Sequence, residues 1–267
     1  MAINSKHVFL SLLSVLIFSG SLQAQKKSEK TFQLSLGADH IRLIDQGFTS
    51  SKLKFTGTAF IASMSYESLS ETRLFGALLR GSFGNLTSAD KSLNAEFTRL
   101  EIDLTYAKSL PEYSFLKIQN KVYAGVGISS YNFALENEPE LENISITFYH
   151  TANLTLHQIS HINEKNKLQL KVVLPVLGWV KRSAYDGGAN QELEEDSNNV
   201  LKLFFNDSEF SLLNPLKIPR VNIAYSYRIA PKTEFTINYL FNYLHSRDPE
   251  PIKAYNNSLL GGFKFNF

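Results

Sequence analysis

The chain has no cysteine, so disulfides and a lipid-anchored amino-terminal cysteine are both excluded. Neither sign of charge is in large excess, because the chain has 27 Lys and Arg and 25 Asp and Glu, for a formal net charge of +2. This balance gives no reason to expect a nucleic-acid partner. Beyond residue 24 there is no apolar run of the roughly 18 residues that a transmembrane helix requires. These absences still permit a membrane barrel, whose wall needs only every second residue to be apolar.

The first 24 residues have the three-part pattern of a secretory signal peptide. Lys6 precedes the apolar run VFLSLLSVLIFSG at 8–20, and SLQA places the small residue Ala24 before the expected cut. The run is too short to span a membrane as a helix. The sequence therefore predicts export through the Sec pathway, removal of residues 1–24, and one mature domain over 25–267.

Apolar and polar residues alternate with a period of two through ten segments, which is typical of β-strands with two different faces. The predicted strands are 31–42, 54–67, 73–84, 96–108, 116–132, 143–162, 167–182, 217–229, 232–246 and 254–267. Most are much longer than the roughly 5–6 residues of an ordinary soluble strand. Tilted membrane strands need about 9–11 residues. Aromatic residues make up 12% of the chain, a share that suits strands and interfacial belts.

Short and long connections alternate between the predicted strands. The short ones are 68–71, 109–114, 163–165 and 230–232, and the longer ones are 43–53, 85–95, 133–142, 183–216 and 247–253. Such asymmetry is typical of outer-membrane barrels. The insertion 183–216 could form a hairpin above the rim, a lid, or two further strands, so twelve strands is the alternative to ten.

These features together resemble a bacterial outer-membrane β-barrel protein, and the chain ends in the strand-like motif FKFNF. The resemblance implies an all-β, closed antiparallel transmembrane barrel in the outer membrane of a Gram-negative cell, with periplasmic short turns and extracellular long loops. It also implies contact with outer-membrane lipid and recognition of Phe263, Phe265 and Phe267 by the barrel-assembly machinery. A secreted soluble sandwich or lipocalin-like barrel would alternate similarly, but the strand lengths favour the membrane barrel.

No motif predicts catalysis, a metal site or a cofactor. In HQISH, His157 and His161 would lie about 13 Å apart on a strand, too far to share one zinc ion. Ser160 alternates away from both histidines, and no GxSxG elbow is present. His245 near Asp248 and Glu250 is a weak candidate for a rim protease site. The sequence GVGIS at 125–129 lies in a strand without a following helix, so it is not a phosphate loop.

The polar strand faces predict a lumen filled by charged side chains. The expected lumen network consists of Arg80, Arg99, Glu101, Asp103, Lys121, His157, Lys171, Arg220, Asn222 and Arg228, with Glu67 and Glu234 as further acidic partners. A ten-stranded barrel is close in size to an eight-stranded one, whose interior is just filled by side chains. The sequence therefore favours a structural, binding or narrow-conduit role. The alternatives are a lipid or peptide hydrolase, or a porin-like channel for small solutes, and the oligomeric state is not predicted.

Overall fold

The computed structural model describes residues 28–46, 48, 53–115, 118–137, 144–182, 209–212, 216–247 and 251–267. The predicted signal peptide, residues 1–24, and most of the insertion 183–216 lie outside these residues. Every regular element in the described part of the chain is a β-strand. Within those residues, no helix has the length and apolar character needed to cross a membrane.

Ten long strands and three short ones make up the fold. The long strands are β1 (Glu29–Asp45), β2 (Lys54–Leu69), β3 (Arg73–Ser88), β4 (Asn94–Ser109), β6 (Ile118–Asn137), β7 (Ile144–His161), β8 (Asn166–Arg182), β11 (Arg220–Ala230), β12 (Thr233–Ser246) and β13 (Ile252–Asn266). The short strands are β5 (Tyr113–Phe115), β9 (Glu209–Leu212) and β10 (Leu216–Lys217).

The ten long strands form a closed antiparallel barrel. Each pairs with its neighbour along the chain, and β1 pairs with β13 from Thr31↔Asn266 to Asp45↔Ile252. No edge of the wall is left unpaired by this closure, which is what a bilayer demands of a spanning sheet. The predicted ten-stranded barrel is thus confirmed.

The short strands β9 and β10 do not raise the strand number to twelve. β11 pairs with β8 from Asn166 to Val173. Further along β8, the residues from Leu177 to Val180 pair with β9 instead. On the other side, β10 pairs with the end of β12 beyond the reach of β11. β9 and β10 therefore continue the place of β11 between β8 and β12 and are not additional strands of the wall. Of the insertion, only 183–208 and 213–215 lie outside the described residues.

The two ends of the barrel differ in their connections. Residues 70–72, 110–117, 162–165 and 231–232 join strands at one end, which we call the short-turn end. At the other end, which we call the long-connection end, the longer gaps 46–53, 89–93, 138–143, 183–219 and 247–251 separate consecutive long strands, and all of them except 89–93 include residues outside the described ranges. The predicted turn 109–114 partly forms β5, which pairs with the start of β6.

One of the connections at the long-connection end is a compact turn organised by Asp90. Its carboxylate accepts hydrogen bonds from the Ser88 hydroxyl at 2.6 Å and from the backbone N–H and hydroxyl of Ser92 at 3.1 and 2.8 Å. These bonds favour the charged carboxylate and lower the pKa of Asp90 to about 2. Lys91 completes the turn in the left-handed region with a φ of 60°.

The outward face of the wall is apolar over its middle part. Exposed side chains of this band include Leu36, Phe60, Phe83, Val126, Ile128, Leu154, Leu174, Ile223, Ile237, Leu259 and Phe263. A soluble barrel would place such a continuous apolar band inside, because soluble proteins rarely expose patches above a few hundred Å². Lipid-facing bands of this kind are the usual exterior of membrane barrels.

Glycine allows close strand contact on the inner face of β6. A Cβ atom on Gly125 would lie 2.1 Å from the carbonyl oxygen of Tyr106, and one on Gly127 would lie 2.6 Å from that of Leu104. Larger residues at these positions would push β6 away from β4. The glycines of GVGIS thus have a packing role in the wall.

Candidate functional site

Six charged side chains meet in the middle of the lumen, and we call them the central network. They are Asp39 on β1, Arg80 on β3, Arg99, Glu101 and Asp103 on β4, and Arg220 on β11. Alternation on β4 sends its three charges to the inner face, since their neighbours Leu100, Ile102 and Leu104 point outward. The result is a set of ions that is almost entirely removed from solvent.

Arg220 connects two distant parts of the wall. Its guanidinium donates to Asp103 at 2.8 Å, to Glu101, and to the Ser129 hydroxyl at 2.5 Å. Strands β6, β7 and β8 separate β11 from β4 along the wall, so these bonds cross the lumen. Arg80 binds the other oxygen of Glu101 at 2.7 Å.

Asp39 and Arg99 form the most deeply buried pair. Their atoms approach to 2.8 Å, and the side chains of both are 0% exposed. The hydroxyls of Ser82 and Ser258 also donate to Asp39, at 3.1 and 2.8 Å. The pair and the two hydroxyls connect four strands, β1, β3, β4 and β13. A buried charge is tolerable only when it is paired and hydrogen-bonded.

The Arg99 guanidinium has a second set of contacts, with Tyr131 on the adjacent strand β6 and with Asn256 on β13. It lies 5.6 Å from the ring centre of Tyr131, a cation–π distance. The Asn256 side-chain amide lies 3.0 Å from the Tyr131 hydroxyl. When the amide is turned so that its oxygen faces Arg99, this oxygen accepts hydrogen bonds from both Arg99 and Tyr131. Arg99 is thereby held by side chains from β1, β6 and β13.

A second group of ion pairs lies near the short-turn end. Lys264 on β13 contacts Glu67 on β2 at 3.1 Å, and Lys167 on β8 contacts Glu234 on β12 at 2.9 Å. Arg228 lies 3.9 Å from Glu234, but its side chain is 39% exposed. We call these residues the short-turn network. Three of its members, Arg228, Glu67 and Lys167, are less buried than any ion of the central network.

An aromatic and aliphatic layer fills the lumen toward the long-connection end. Phe133 stacks between Phe97 and Tyr149, with ring centres 6.2 Å apart on each side, and Phe48 packs edge-on against Phe55 at 5.6 Å. Aliphatic members of the same buried cluster include Ile41, Leu43, Leu86, Leu135 and Leu244. This layer lies between the central network and the long-connection end.

A cavity of about 60 Å³ remains between the two networks. Its polar lining comprises Gln33, Ser63, Ser65, Glu67, Arg80, His157, Gln169, Lys171, Asn222 and Asn238. Lys171 donates to the Thr105 hydroxyl at 3.3 Å. Glu67 is 25% exposed, so solvent reaches this part of the lumen.

The other residues singled out by the sequence lie away from this cavity or on another face. Lys121 lies 3.7 Å from Glu112, whose side chain is 67% exposed. Ser160 is on the outward phase and donates to Asn120 at 2.7 Å, whereas His157 points into the lumen. Asp248 and Glu250, proposed as partners of His245, lie outside the described residues.

No metal-binding cluster of three or more His, Asp or Glu residues occurs in the described ranges. Sequence analysis had not singled out Asp39 or the two lysines of the short-turn network. Asp39 shares the inner face of β1 with Ser35 and Ile41, so alternation places it inside. The pattern alone gives it no partner, since Arg99 comes from a strand that is not its neighbour.

Neither a family model nor a curated protein sequence matches the chain. Among solved structures, the outer membrane protease OmpT of Escherichia coli superposes with a TM-score of 0.56 and 13% identity, over 93% of this chain and 100% of that chain. Neisserial surface protein A gives 0.36 and 11%, over 88% and 97%. An outer membrane channel of Pseudomonas putida F1 gives 0.37 and 9%, over 93% and 98%.

The superposition on the outer membrane protease OmpT and the closed ten-stranded wall confirm the predicted architectural resemblance. At such low sequence identity the similarity establishes the barrel fold alone. Barrels of this class carry different functions, so no activity follows from the superposition.

Proposed function

We propose that this chain is an outer-membrane β-barrel whose lumen is kept closed, with a structural or binding role rather than free diffusion of solutes. The proposal includes export through the Sec pathway, location in a Gram-negative outer membrane, and extracellular exposure of the long-connection end. Lipid contacts the apolar band, and the assembly machinery recognises Phe263, Phe265 and Phe267. We expect no cofactor and no nucleic-acid partner.

The observation that carries the closed lumen is the set of bonds from Arg220 to Glu101 and Asp103. A solute that passes through the middle of the barrel would have to separate this arginine from both carboxylates. Separating a buried pair leaves charges unpaired, at a cost of about 3–5 kcal/mol for the loss of one partner. The aromatic layer around Phe133 obstructs the same path.

The cavity supports a narrow conduit as the second candidate. Small ions could reach it from the short-turn end, past Glu67, but would then meet the central network. Conduction through the whole barrel would require the Arg220 contacts to open. A conduit of this kind would therefore show rare, brief openings instead of a steady current.

Single-channel recording in planar bilayers tests the proposal. We expect little steady conductance from the wild-type protein and frequent openings from Arg220→Ala, because that variant loses the cross-lumen bonds. Lys121→Ala is the matched control, since it removes a lumen cation near the short-turn end that pairs only with the exposed Glu112. A large, steady wild-type conductance that Arg220→Ala leaves unchanged would contradict the closed lumen and favour a porin.

Turnover assays separate the proposal from a hydrolase. Phospholipid vesicles and a peptide library are incubated with the purified wild-type protein and with variants at His157, Ser160, His161 and His245. We expect no hydrolysis by any of them. Wild-type hydrolysis that is lost in one of these variants would instead support an enzyme.

A further inference from the structure

The central network is balanced in charge. Arg80, Arg99 and Arg220 are matched by Asp39, Glu101 and Asp103, and each of these residues has an oppositely charged partner. In the short-turn network, Lys264 is likewise paired with Glu67, and Lys167 with Glu234. Arg228, the third cation of that network, shares Glu234 and is 39% exposed, so a buried cation without a carboxylate partner has to be sought between the two networks.

Lys171 is that remaining charge. It lines the cavity, and its hydrogen bond goes to the neutral hydroxyl of Thr105, with no ion pair in the described part of the chain. The nearest acid in the lining, Glu67, is already engaged by Lys264. An ammonium group in a confined interior is costly without a counter-charge, so its surroundings favour an anion.

Three further groups of the lining lack hydrogen-bond partners, namely Nδ1 of His157, Nε of Arg80 and Oδ1 of Asn222. Nδ1 of His157 and Nε of Arg80 are buried atoms without a partner among the described residues, and both side chains are more than nine-tenths buried. Buried polar atoms are normally satisfied, so three such atoms in one lining indicate a missing ligand or water. The Arg80 atom is a donor and suits an acceptor oxygen.

We propose that this cavity is a binding site for a small oxyanion with a carboxylate or phosphate group. Lys171 supplies the counter-charge, and His157 and Arg80 supply the adjacent nitrogen atoms. A volume of about 60 Å³ holds several water molecules or one small anion, because a single water needs roughly 10–15 Å³ on the same scale. The inference goes beyond the closed-lumen proposal and holds whether or not the barrel conducts.

Binding is tested on the purified, folded barrel in detergent. The midpoint temperature of thermal unfolding of the wild type is measured at increasing concentrations of inorganic phosphate. Phosphate replaces sodium chloride so that the ionic strength stays constant. We expect a saturable rise in the midpoint for the wild type, since a ligand that binds only the folded state stabilises it. In Lys171→Met the apparent affinity should fall about tenfold to a hundredfold, the loss typical of one charge-assisted hydrogen bond.

Three comparisons make the test decisive. Lys171→Arg should keep phosphate binding, and it also reports on the site if Lys171→Met folds poorly. Lys121→Met should behave as the wild type, because Lys121 is a lumen cation outside the cavity lining. A crystal soaked with selenate should show anomalous density between Lys171 and His157. An equal midpoint shift in all variants, or no shift in the wild type, would overturn the proposal and leave a cavity filled by water.

Discussion

Replacing Arg99 with methionine tests the energetic role of the central network. The variant keeps a long side chain in the lumen but removes the charge that neutralises Asp39. Because the two side chains are 0% exposed, the Asp39 carboxylate would keep only the hydroxyls of Ser82 and Ser258 as partners. Loss of one partner from a buried pair costs about 3–5 kcal/mol.

A partly exposed ion pair in the same barrel provides the control. Arg228→Met breaks a contact of 3.9 Å in which the arginine side chain is 39% exposed. Solvent screens such a pair, so its loss should cost about 0–1 kcal/mol. The double variant Arg99→Met with Asp39→Asn should regain much of the lost stability, since it leaves no uncompensated charge in the lumen.

Urea unfolding in lipid vesicles measures these differences. The chain contains a single tryptophan, Trp179 on the outward face of β8, and its fluorescence reports the transfer of the wall from lipid to water. Heat-modifiable mobility on gels gives an independent measure of the folded fraction. If Arg99→Met and Arg228→Met lower the free energy of unfolding by the same amount, the dry central network is refuted.

Three further predictions address assembly, topology and one turn. Changing Phe267 to Ser should lower the amount of folded protein in the outer membrane, and unchanged abundance would argue against its role in assembly. An epitope tag within 187–198 should be detected on intact cells and one replacing 163–165 should not, whereas reversed labelling would invert the proposed orientation. The hydrogen bonds of Asp90 should persist above its ordinary pKa of 3.8 and be lost as pH falls through about 2, because its pKa is lowered in the folded state. Amide chemical shifts of Ser92 across this range would follow that loss, and a transition centred near pH 3.8 in a folded barrel would disprove the lowered pKa.

Much of the fold is predictable from the sequence because side-chain direction along a strand depends only on local geometry. On β4, strict alternation of aliphatic and charged residues places Arg99, Glu101 and Asp103 on one face. The assignment is weaker for β2 and β3, where Gly, Ala and Ser interrupt the pattern. Those small residues sit at close contacts, as at Gly84, where an added Cβ would lie 2.7 Å from the Cα atom of Ala59.

The partners of the lumen charges depend on closure and register, which are not local properties. Arg220 meets Glu101 and Asp103 although three strands separate them along the wall. The stagger of the closed barrel decides which inward residues reach the same height. Alternation specifies no stagger, so it could place these residues in the lumen but could not pair them.

Charge balance is the sequence signal that could have predicted Asp39 as an inward-facing acid. The expected lumen residues include six cations, Arg80, Arg99, Lys121, Lys171, Arg220 and Arg228, but only four carboxylates, Glu67, Glu101, Asp103 and Glu234. Because unpaired buried charges are costly, this excess indicates further acids on inward strand positions. Asp39 is one such acid, and it pairs with Arg99. Lys121 reaches Glu112 near the short-turn end, whereas Lys171 has no carboxylate among the described residues and lines the cavity. The same electrostatic argument that pairs the other cations therefore favours an anion from solution at Lys171.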